Sequence, residues 1–394
     1  MKCKLGDIIN INQYTYTPYD QWKYVNYLDT GNITKNIIDT VRYIDLSKET
    51  LPSRARRKVK NSSILYSMVR PNQSHYGMIK DGIENFLVST GFAVIDVDTN
   101  KAYPAFIYYM LTQQETTERL QAIAEQSVSA YPSIKPSDIE NLDILLPSLL
   151  QQQKIAKLLG NLDDEIELKR QINANLEQQV LAYYNYLFID NYNVNRRKCR
   201  MNEYFDISIG KTPPRQETQW FKTQSNDVVW VSISDMAKCG LYINKSSEQL
   251  TKEAIKKFNI PVVPDNTLLL SFKLTIGRIA ITNGELATNE AIAHFKTDQK
   301  IINEYLYCYL KRFDYDKMGN TSSIAVALNS RLIKEMPFII PESHELQTFY
   351  DYAHCRFQYI KANLSEISTL STLRDTILPK LMSGEIDVSK IELE

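Results

Sequence analysis

The sequence has no excess of charge of either sign: 46 Lys and Arg residues balance 46 Asp and Glu residues, so the formal net charge is zero. This balance argues against a sequence-independent coat on nucleic acid, which is usually basic, but a specific DNA reader needs only clustered charge. No apolar run approaches the ~20 residues that span a bilayer, and the first residues lack the apolar stretch of a signal peptide. We therefore expect a soluble, cytoplasmic protein.

Cysteine is scarce and scattered. The five cysteines are odd in number and no two stand in a CxxC pair, so neither a disulfide framework nor a zinc site is expected. Reduced thiols fit a cytoplasmic protein. Tyrosine, by contrast, is abundant at 25 residues, a composition that fits half-buried strands as well as wet binding surfaces.

One segment resembles a nucleotide-binding motif but is incomplete. Gly210–Thr212 matches the end of a phosphate-binding loop, whereas Phe205 stands where the first glycine of that loop is required. Pro213 and Pro214 then forbid the helix that has to follow. We therefore expect no nucleotide site at this position.

Other catalytic patterns are incomplete as well. Asp265 and Lys273 match part of a metal-dependent nuclease motif, but Ser271 stands where a further acidic ligand is needed. His294 lies in an apolar run, which favours a hydrogen-bonded core histidine over a metal ligand. The sequence has no glycine-rich cofactor loop and no Asn/Asp-Pro-Pro-aromatic tetrapeptide of an amino-methyltransferase. Together these patterns favour a binding protein over an enzyme.

An internal repeat is the most informative feature that the sequence does contain. Ile139–Pro147 aligns with Ile333–Pro341, and Tyr108 aligns with Tyr307. Each copy is followed by a long helical pattern. Two similar domains in one chain suit the recognition of two sites a fixed distance apart better than they suit catalysis.

The first long helix is predicted over residues 151–188. Its apolar positions follow heptad spacing and begin with Ile155, Leu159, Leu162 and Ile166. Lys169 interrupts this seam and belongs to a polar face that we expect to be solvated or to contact a partner. A helix of this length is roughly 50 Å long. The second long helix is predicted over residues 345–378 and ends at Pro379.

These patterns predict an α+β fold with two similar mixed α/β domains, separated by two long helices that pair as an antiparallel coiled coil with approximate two-fold symmetry. The antiparallel direction follows from the topology, since it returns the end of the chain to the first domain. The predicted boundaries are 1–148 for the first domain, 149–192 for the first helix, 193–343 for the second domain and 344–394 for the second helix and the C-terminal tail.

Within the two copies, β-rich runs and turn signals predict strands at 64–69, 86–95, 144–147, 228–233, 267–272 and 278–282. A helix is predicted over 102–126, because Phe106, Tyr109, Met110 and Leu120 follow a rough helical period. A shorter helix is predicted over 251–258.

Basic and polar residues gather in segments that open loops or follow predicted strands. Lys and Arg neutralise phosphates, while Arg, Gln and Thr read base edges in the major groove. The sharpest cluster is Arg54–Lys60, for which a solvated charged loop is the alternative interpretation. The predicted DNA-binding residues are Arg54, Arg56, Arg57, Lys58, Lys60, Arg70, Gln73, Lys211, Thr212, Arg215, Lys273, Thr275 and Arg278.

Several segments carry a resemblance to a known family: Ile144–Ala156, Leu162–Glu177, Gly210–Pro213, Leu274–Ala280 and Leu378–Ile386. With the internal repeat, they make the chain similar over almost its whole length to the specificity (S) subunits of Type I restriction-modification enzymes. The start of the second long helix, Ser343–Phe349, departs from the glutamine-rich segment that is usual in the family.

The resemblance implies two target-recognition domains, each reading one half of a split DNA sequence, with the helices docking two modification subunits. Those subunits bind S-adenosylmethionine and methylate adenine, and restriction subunits that use ATP and Mg²⁺ join the complex. The chain itself then carries no catalytic group, metal or cofactor. The residues predicted to bind a partner lie on the first long helix: Lys154, Leu158, Asp163, Glu167 and Arg170.

Two other functions are compatible with the residues alone. One is a DNA methyltransferase or nuclease with an unrecognised active site, which would turn over without any partner. The other is a coiled-coil scaffold whose mixed domains bind protein, which short duplex DNA would not displace from its partners.

Overall fold

The computed structural model describes residues 2–80, 82–127, 131–191, 196–222, 227–318 and 328–390. The chain forms two compact units: the first unit comprises residues 1–165 and 370–394, and the second unit comprises residues 166–369. The first unit therefore contains both the beginning and the end of the chain, as the antiparallel topology predicts. The predicted domain boundary at 192 and 193 lies outside the described residues, and the other boundaries stay predictions.

The first unit is built on two four-stranded sheets. The mixed sheet has the strand order Arg42–Asp45, Tyr24–Leu28, Phe86–Ser89 and Ala55–Lys58. The antiparallel sheet has the order Ile9–Ile11, Phe92–Val97, Ile64–Ser67 and Tyr76–Met78. Two further pairs are Lys2–Lys4 with Asp143–Leu145 and Ile33–Thr34 with Ile37–Ile38. The shorter helices are Pro104–Leu111, Gln114–Glu125 and Pro136–Glu140.

The second unit repeats this plan. Its five-stranded sheet has the order Asp206–Ile209, Ile292–Lys296, Leu268–Ser271, Ile279–Thr282 and Tyr242–Ile243. Its four-stranded sheet has the order Phe221–Lys222, Glu248–Leu250, Val228–Val231 and Ala287–Thr288. Lys198–Arg200 pairs with Pro337–Ile339. The shorter helices are Met201–Tyr204, Ile233–Lys238, Lys252–Lys257, Asn303–Arg312 and Ser330–Glu335.

Strand pairing confirms that the two units are copies of one fold. In the first unit Phe92–Val97 pairs antiparallel with Ile9–Ile11 and with Ile64–Ser67. In the second unit Ile292–Lys296 pairs antiparallel in the same way with Asp206–Ile209 and with Leu268–Ser271. The four-stranded mixed sheet of each unit also has one parallel pair. Phe86–Ser89 pairs with Tyr24–Leu28 in the first unit, and Ala287–Thr288 pairs with Val228–Val231 in the second. The sequence repeat therefore encodes a repeated topology.

Two predicted elements of the first unit are each divided in two. The helix expected over 102–126 is interrupted at Thr112 and Gln113, where the Thr112 hydroxyl donates to the Tyr108 carbonyl (2.9 Å) and Gln113 adopts an extended conformation. The strand expected over 86–95 is two strands joined by a turn at Thr90 and Gly91. Both strands are buried almost throughout, and only Thr90 and Gly91 separate them, so the two apolar runs were predicted as one strand.

The two long helices run from one unit into the other. The first long helix spans Leu149–Tyr184 and continues as the π-helical segment Asn185–Asp190. The second long helix spans Ser343–Met382, so it passes the residue that was predicted to end it, Pro379. Proline removes only its own backbone donor, and the Pro379 carbonyl still accepts a hydrogen bond from the Ser383 amide (2.9 Å), so the last turn of the helix forms.

Within each unit the two long helices pack antiparallel. In the second unit the Asn363 side-chain amide donates to Asn173 Oδ1 (2.8 Å), while the ring centroids of Tyr183 and Tyr352 lie 4.1 Å apart. In the first unit Arg374 Nη1 donates to Asp163 Oδ1 (2.6 Å). Residue numbers thus rise along one helix as they fall along the other, which confirms the predicted direction.

Lys169 corrects the expectation of a solvated polar face at this position. Its side chain is only 13% exposed, and its ammonium group lies 2.8 Å from a carboxylate oxygen of Glu366 on the second long helix. The Asn173–Asn363 hydrogen bond lies in the same seam, and Asn363 is buried. Buried polar residues in a coiled coil favour one register over others at some cost in stability, so the break in the heptad pattern marks a polar layer between the helices.

A buried ion pair joins the end of the first long helix to the beginning of the second. Arg196, 3% exposed, donates to both carboxylate oxygens of Glu345 (3.0 and 2.8 Å) and to the carbonyls of Leu187 and Phe188. Removing one partner of a buried pair leaves an uncompensated charge. We expect Glu345→Gln to lower the free energy of unfolding of the second unit by about 3 kcal/mol.

The measurement is denaturant unfolding followed by the fluorescence of Trp220 and Trp230, with Trp22 replaced by phenylalanine. The matched control is Glu335→Gln, because Glu335 pairs with Arg331 at 3.0 Å while the Arg331 side chain is 82% exposed. Exposed pairs contribute less than about 1 kcal/mol. Equal losses in the two variants would contradict a special role for the buried pair.

Candidate nucleic-acid interface

The predicted DNA-binding segments of each unit converge on one strand end. In the first unit Arg54 accepts a backbone hydrogen bond from Thr90 (2.9 Å), just beyond the strand Phe86–Ser89. In the second unit Lys211 donates a backbone hydrogen bond to Thr288 (2.9 Å), the last residue of the corresponding strand Ala287–Thr288. The basic segments that open at Arg54 and at Gly210 therefore flank equivalent strand ends.

A second loop meets the same strand end in each unit. Met68 donates a backbone hydrogen bond to Gly91 in the first unit, and Phe272 donates one to Ala291 in the second, both at 2.9 Å. The loop that carries Arg70 and the loop that begins at Lys273 thus hold equivalent places. Residues far apart in sequence are brought together by the same backbone ties in both copies.

Gly210 allows the close approach on which the second of these sites depends. A Cβ atom at this position would lie 2.1 Å from both the Asn289 carbonyl oxygen and Thr288 Oγ1. No side chain fits there without displacing the backbone. The Gly-Lys-Thr segment therefore serves to lay Lys211 and Thr212 against the turn after Ala287–Thr288, rather than to bind a nucleotide phosphate.

Glu290 lies among the basic residues of this site. The Thr212 hydroxyl donates to its carboxylate. Partial burial by itself would raise the pKa of Glu290, but the Thr212 hydrogen bond and the nearby charges of Lys273 and Arg215 outweigh burial and hold the pKa below its usual value. Glu290 is therefore ionised near neutral pH, and it offsets part of the positive charge.

Arg215 is held by one acid and two rings. Its Nη1 lies 2.8 Å from both carboxylate oxygens of Glu248. Its guanidinium carbon is 4.5 Å from the ring centroid of Phe221 and 4.6 Å from that of Trp230. Stacking and ion pairing fix the orientation of the guanidinium, but they also engage it within the chain.

The loop after Leu268–Ser271 is tied together by one serine. Ser271 Oγ donates to the Thr275 carbonyl (2.7 Å) and accepts from the Arg278 backbone amide (3.1 Å). The Arg278 guanidinium donates to the Ile233 carbonyl (2.7 Å), so it anchors the loop. Lys273 and Thr275 are exposed.

A buried histidine is hydrogen-bonded to Thr288, at the turn that Lys211 contacts. His294 is fully buried, with Nδ1 3.0 Å from Ser208 Oγ and Nε2 2.7 Å from Thr288 Oγ1. This is the hydrogen-bonded core histidine that the sequence predicts. Burial, with a smaller effect of Lys296, lowers the pKa of His294 to about 3, so the ring is neutral near pH 7.

In the first unit the basic cluster forms an edge strand rather than a loop. Lys58, on the strand Ala55–Lys58, pairs with Asp20 and lies 5.4 Å from the Trp22 ring centroid. Lys60 lies 3.6 Å from the buried carboxylate of Asp96. Both side chains are therefore positioned by acids of the same unit.

The remaining residues of this cluster are held more loosely. Arg54 and Arg56 are exposed, and Arg56 donates weakly to the Ser53 carbonyl (3.4 Å). Arg57 lies across an isolated bridge from Thr15, whose hydroxyl is 3.5 Å from Arg57 Nη1, and the buried Nε of Arg57 has no hydrogen-bond partner among the residues that the structure describes.

Arg70 and Gln73 occupy the loop that corresponds to the one beginning at Lys273. Arg70 has a left-handed backbone (φ 48°), donates its amide hydrogen to the Pro132 carbonyl (2.9 Å) and places its guanidinium carbon 5.3 Å from the Tyr131 ring centroid. Gln73 is exposed at the end of the short 3-10 helix that starts at Pro71.

The residues predicted to bind a partner divide into two groups. Lys154 donates to the Ser389 carbonyl (2.7 Å), Leu158 packs against the core of the first unit, and Asp163 accepts from both Arg374 (2.6 Å) and Tyr109 (2.7 Å). Glu167 and Arg170 lie 3.9 Å apart, with side chains about half exposed. The role of all five in binding a partner stays a prediction.

Sequence reasoning missed the acids that organise both sites. Glu290, Glu248, Asp20 and Asp96 are distant in sequence from the basic residues that they contact, so no local pattern links the partners. The aromatic rings beside Arg215 and Lys58 were missed for the same reason. The abundance of tyrosine did not indicate these contacts, because the rings are those of Phe221, Trp230 and Trp22.

The described residues offer neither a cluster of metal ligands nor a helix suited to a membrane. In the part of the chain that the structure describes, no group of three or more His, Cys, Asp or Glu side chains is arranged to hold a metal ion. Among the same residues, none of the helices combines the length and apolar character needed to cross a membrane.

Comparison with known proteins gives a consistent result. A family model for the Type I restriction modification DNA specificity domain matches residues 1–178 and 194–352. The chain is 24% identical to the Type I restriction enzyme HindI specificity subunit of Haemophilus influenzae, over 97% of this chain and 98% of that one. It is 25% identical to the MjaIX specificity subunit of Methanocaldococcus jannaschii, over 95% and 87%.

A solved structure shows the same fold. The S subunit of a Type I restriction-modification system from M. genitalium aligns with a TM-score of 0.52 and 16% identity, over 97% of this chain and 96% of that chain. The predicted α+β class, with two similar mixed domains and long helices, is confirmed.

The repeated domain defines the class of protein, because the DNA specificity domain matches in both copies. The chain belongs to the specificity subunits of Type I restriction-modification enzymes.

The buried histidine predicts an acid-dependent stability of the second unit. The folded state keeps the His294 ring neutral down to about pH 3, whereas in the unfolded chain the ring takes up a proton near pH 6.5. Acid therefore favours the unfolded state between these values. We expect wild type to lose roughly 2 to 3 kcal/mol through this group between pH 7.5 and pH 4.5.

The test compares His294→Gln with wild type in the tryptophan unfolding assay across that pH range. At pH 7.5 the variant is expected to be less stable than wild type by about 1 to 3 kcal/mol, since the buried Thr288 hydroxyl loses its hydrogen-bond partner. Glutamine does not titrate, so the difference should narrow as the pH falls. A difference that stays constant would contradict the proton linkage.

Proposed function

We propose that this specificity subunit recognises a bipartite, asymmetric DNA sequence, with each mixed domain reading one half-site. The observation that carries the proposal is the convergence of two predicted segments on an equivalent strand end in both units, at Thr90 in the first and Thr288 in the second. Each site has basic residues for phosphates and polar residues for base edges. The side chains differ between the units, so the half-sites differ.

The chain acts through partners. The long helices dock two methyltransferase subunits, which hold S-adenosylmethionine, and restriction subunits that use ATP and Mg²⁺ complete a cytoplasmic complex. This chain supplies recognition and no catalytic group. The family match and the specificity-subunit names of its relatives support this assignment. Turnover of S-adenosylmethionine or cleavage of DNA by the isolated chain would contradict it.

The target is found first, by mapping methylated adenines in DNA from cells with and without this chain. The complex of the chain with its methyltransferase partner should then bind a duplex carrying that sequence, with log affinity falling linearly with log salt concentration. About ten phosphate contacts would give a slope near −9. Binding that ignores salt, or no binding to any duplex, would contradict DNA recognition.

Substitution of two lysines tests which face of the second unit contacts the DNA phosphates. Lys211→Gln and Lys273→Gln should each weaken binding and reduce the salt slope by about 1. The control is Arg331→Gln, because the helix Ser330–Glu335 packs against Met201–Tyr204, which precedes the strand Asp206–Ile209. Gly210 and Lys211 follow the opposite end of that strand. An equal effect of the control would place the DNA elsewhere.

We propose further that the two long helices set the distance between the half-sites. Deletion of residues 166–172 together with 364–370 removes seven residues from facing segments of the antiparallel pair. Seven residues correspond to about 10 Å and nearly two full turns, so facing surfaces are kept. We expect the tolerated gap to shorten by about three base pairs.

The control deletion removes five residues from each helix, which rotates the flanking segments by roughly 140°. After this deletion, one complex should no longer be able to bind the two half-sites of a duplex simultaneously. An unchanged gap after the seven-residue deletion would show that the helices do not set the spacing.

A further inference from the structure

One apolar side chain of the candidate interface stands entirely in solvent. Leu274 is 100% exposed, more than any other large apolar residue in the described part of the chain. Its φ of 60° lies in the left-handed region, which is unfavourable for a residue of this size. Glycine or asparagine would meet the same backbone requirement at lower cost. What leucine adds is an apolar group that the folded chain leaves unburied.

The loop presents this side chain on a fixed base. The Thr275 amide donates to the Lys273 carbonyl (2.6 Å), which closes a three-residue turn around Leu274. The Ser271 hydroxyl bonds the two sides of the loop together. Gly277 (φ 86°) packs so closely on the Tyr315 ring that a Cβ atom would come within 3.3 Å of it.

The surroundings of Leu274 suit DNA. Lys273 precedes it, and Lys211 lies against the same turn, because the backbone amides of Lys211 and Phe272 donate to Thr288 and Ala291 (both 2.9 Å). Basic side chains around an apolar tip are the arrangement by which architectural proteins grip phosphates while an apolar residue separates two stacked base pairs.

The other unit carries a different residue at the equivalent place. Arg70 follows Met68 by two positions, as Leu274 follows Phe272, and both residues have positive φ. Arg70 lies against the Tyr131 ring and offers a cation in place of an apolar tip. The two half-sites should therefore be treated differently.

We propose that Leu274 is a wedge that enters between adjacent base pairs of the half-site bound by the second unit and unstacks that step, while Arg70 does not unstack the other half-site. This inference rests on the proposed function and deepens it. It makes a flexible step, such as TA or CA/TG, the preferred sequence at the point of insertion.

The test uses the complex with its methyltransferase subunits and duplexes of the mapped target that carry 2-aminopurine at successive positions. Unstacking raises the fluorescence of this base. We expect a rise of several-fold at one step of the second unit's half-site. Leu274→Ala should abolish that rise and weaken binding about tenfold. Leu274→Met should retain the fluorescence rise and the affinity of wild type. Any signal from base flipping by the methyltransferase subunits does not depend on Leu274 and should survive in every variant.

Controls separate the possible failures. Leu145→Ala, at a 65% exposed leucine of the strand Asp143–Leu145, should change nothing, and Arg70→Ala should weaken binding without altering the fluorescence pattern. If wild type binds its target and Leu274→Ala leaves the fluorescence unchanged, the wedge is refuted while DNA recognition stands. If Leu274→Ala weakens only the assembly with the methyltransferase, the residue contacts protein and the proposal is overturned. If wild type binds no duplex, the proposed function itself fails.

Discussion

The two long helices complete the hydrophobic core of each unit, and the rest of the structure depends on this burial. In the first unit Leu159 and Leu381 lie in the same core as Leu5, near the beginning of the chain. In the second unit Tyr184 and Phe349 lie in the core with sheet and helix residues. Burial of one such side chain contributes roughly 1.5 to 3 kcal/mol. Neither mixed domain is therefore complete without segments from both long helices.

The candidate DNA surface depends on a second constraint, which is the pairing of its cations with acids. Lys58 with Asp20 and Arg215 with Glu248 are engaged before any DNA arrives. A phosphate has to compete with a carboxylate that is already well placed. Weak, sequence-independent contacts gain little from such a surface, whereas a matched sequence also offers base-edge contacts. Balanced charge thus favours specificity over general affinity for DNA.

The spacing of apolar residues predicted the long helices, and the internal repeat predicted the two similar units. Both features can be recognised from residues that are close together in the sequence. The Gly210–Thr212 segment was also found from sequence, although its role is close packing at Thr288. The break at Thr112 was not predicted, since a threonine hydroxyl that bonds to Tyr108 leaves the apolar pattern unchanged. The contact of Thr212 with Glu290 joins residues far apart in sequence, so only the fold reveals it.

The two units keep a common framework and differ at its edges. The edge of the parallel strand pair is covered by the basic strand Ala55–Lys58 in the first unit, whereas Lys211 bonds to the same edge in the second. The following loop presents Arg70 in one copy and Leu274 in the other. Backbone ties that hold these loops are equivalent, so side chains at the tips can change without disturbing the sheets. A duplicated framework with unlike tips is the physical basis of our proposal that two similar domains read an asymmetric sequence.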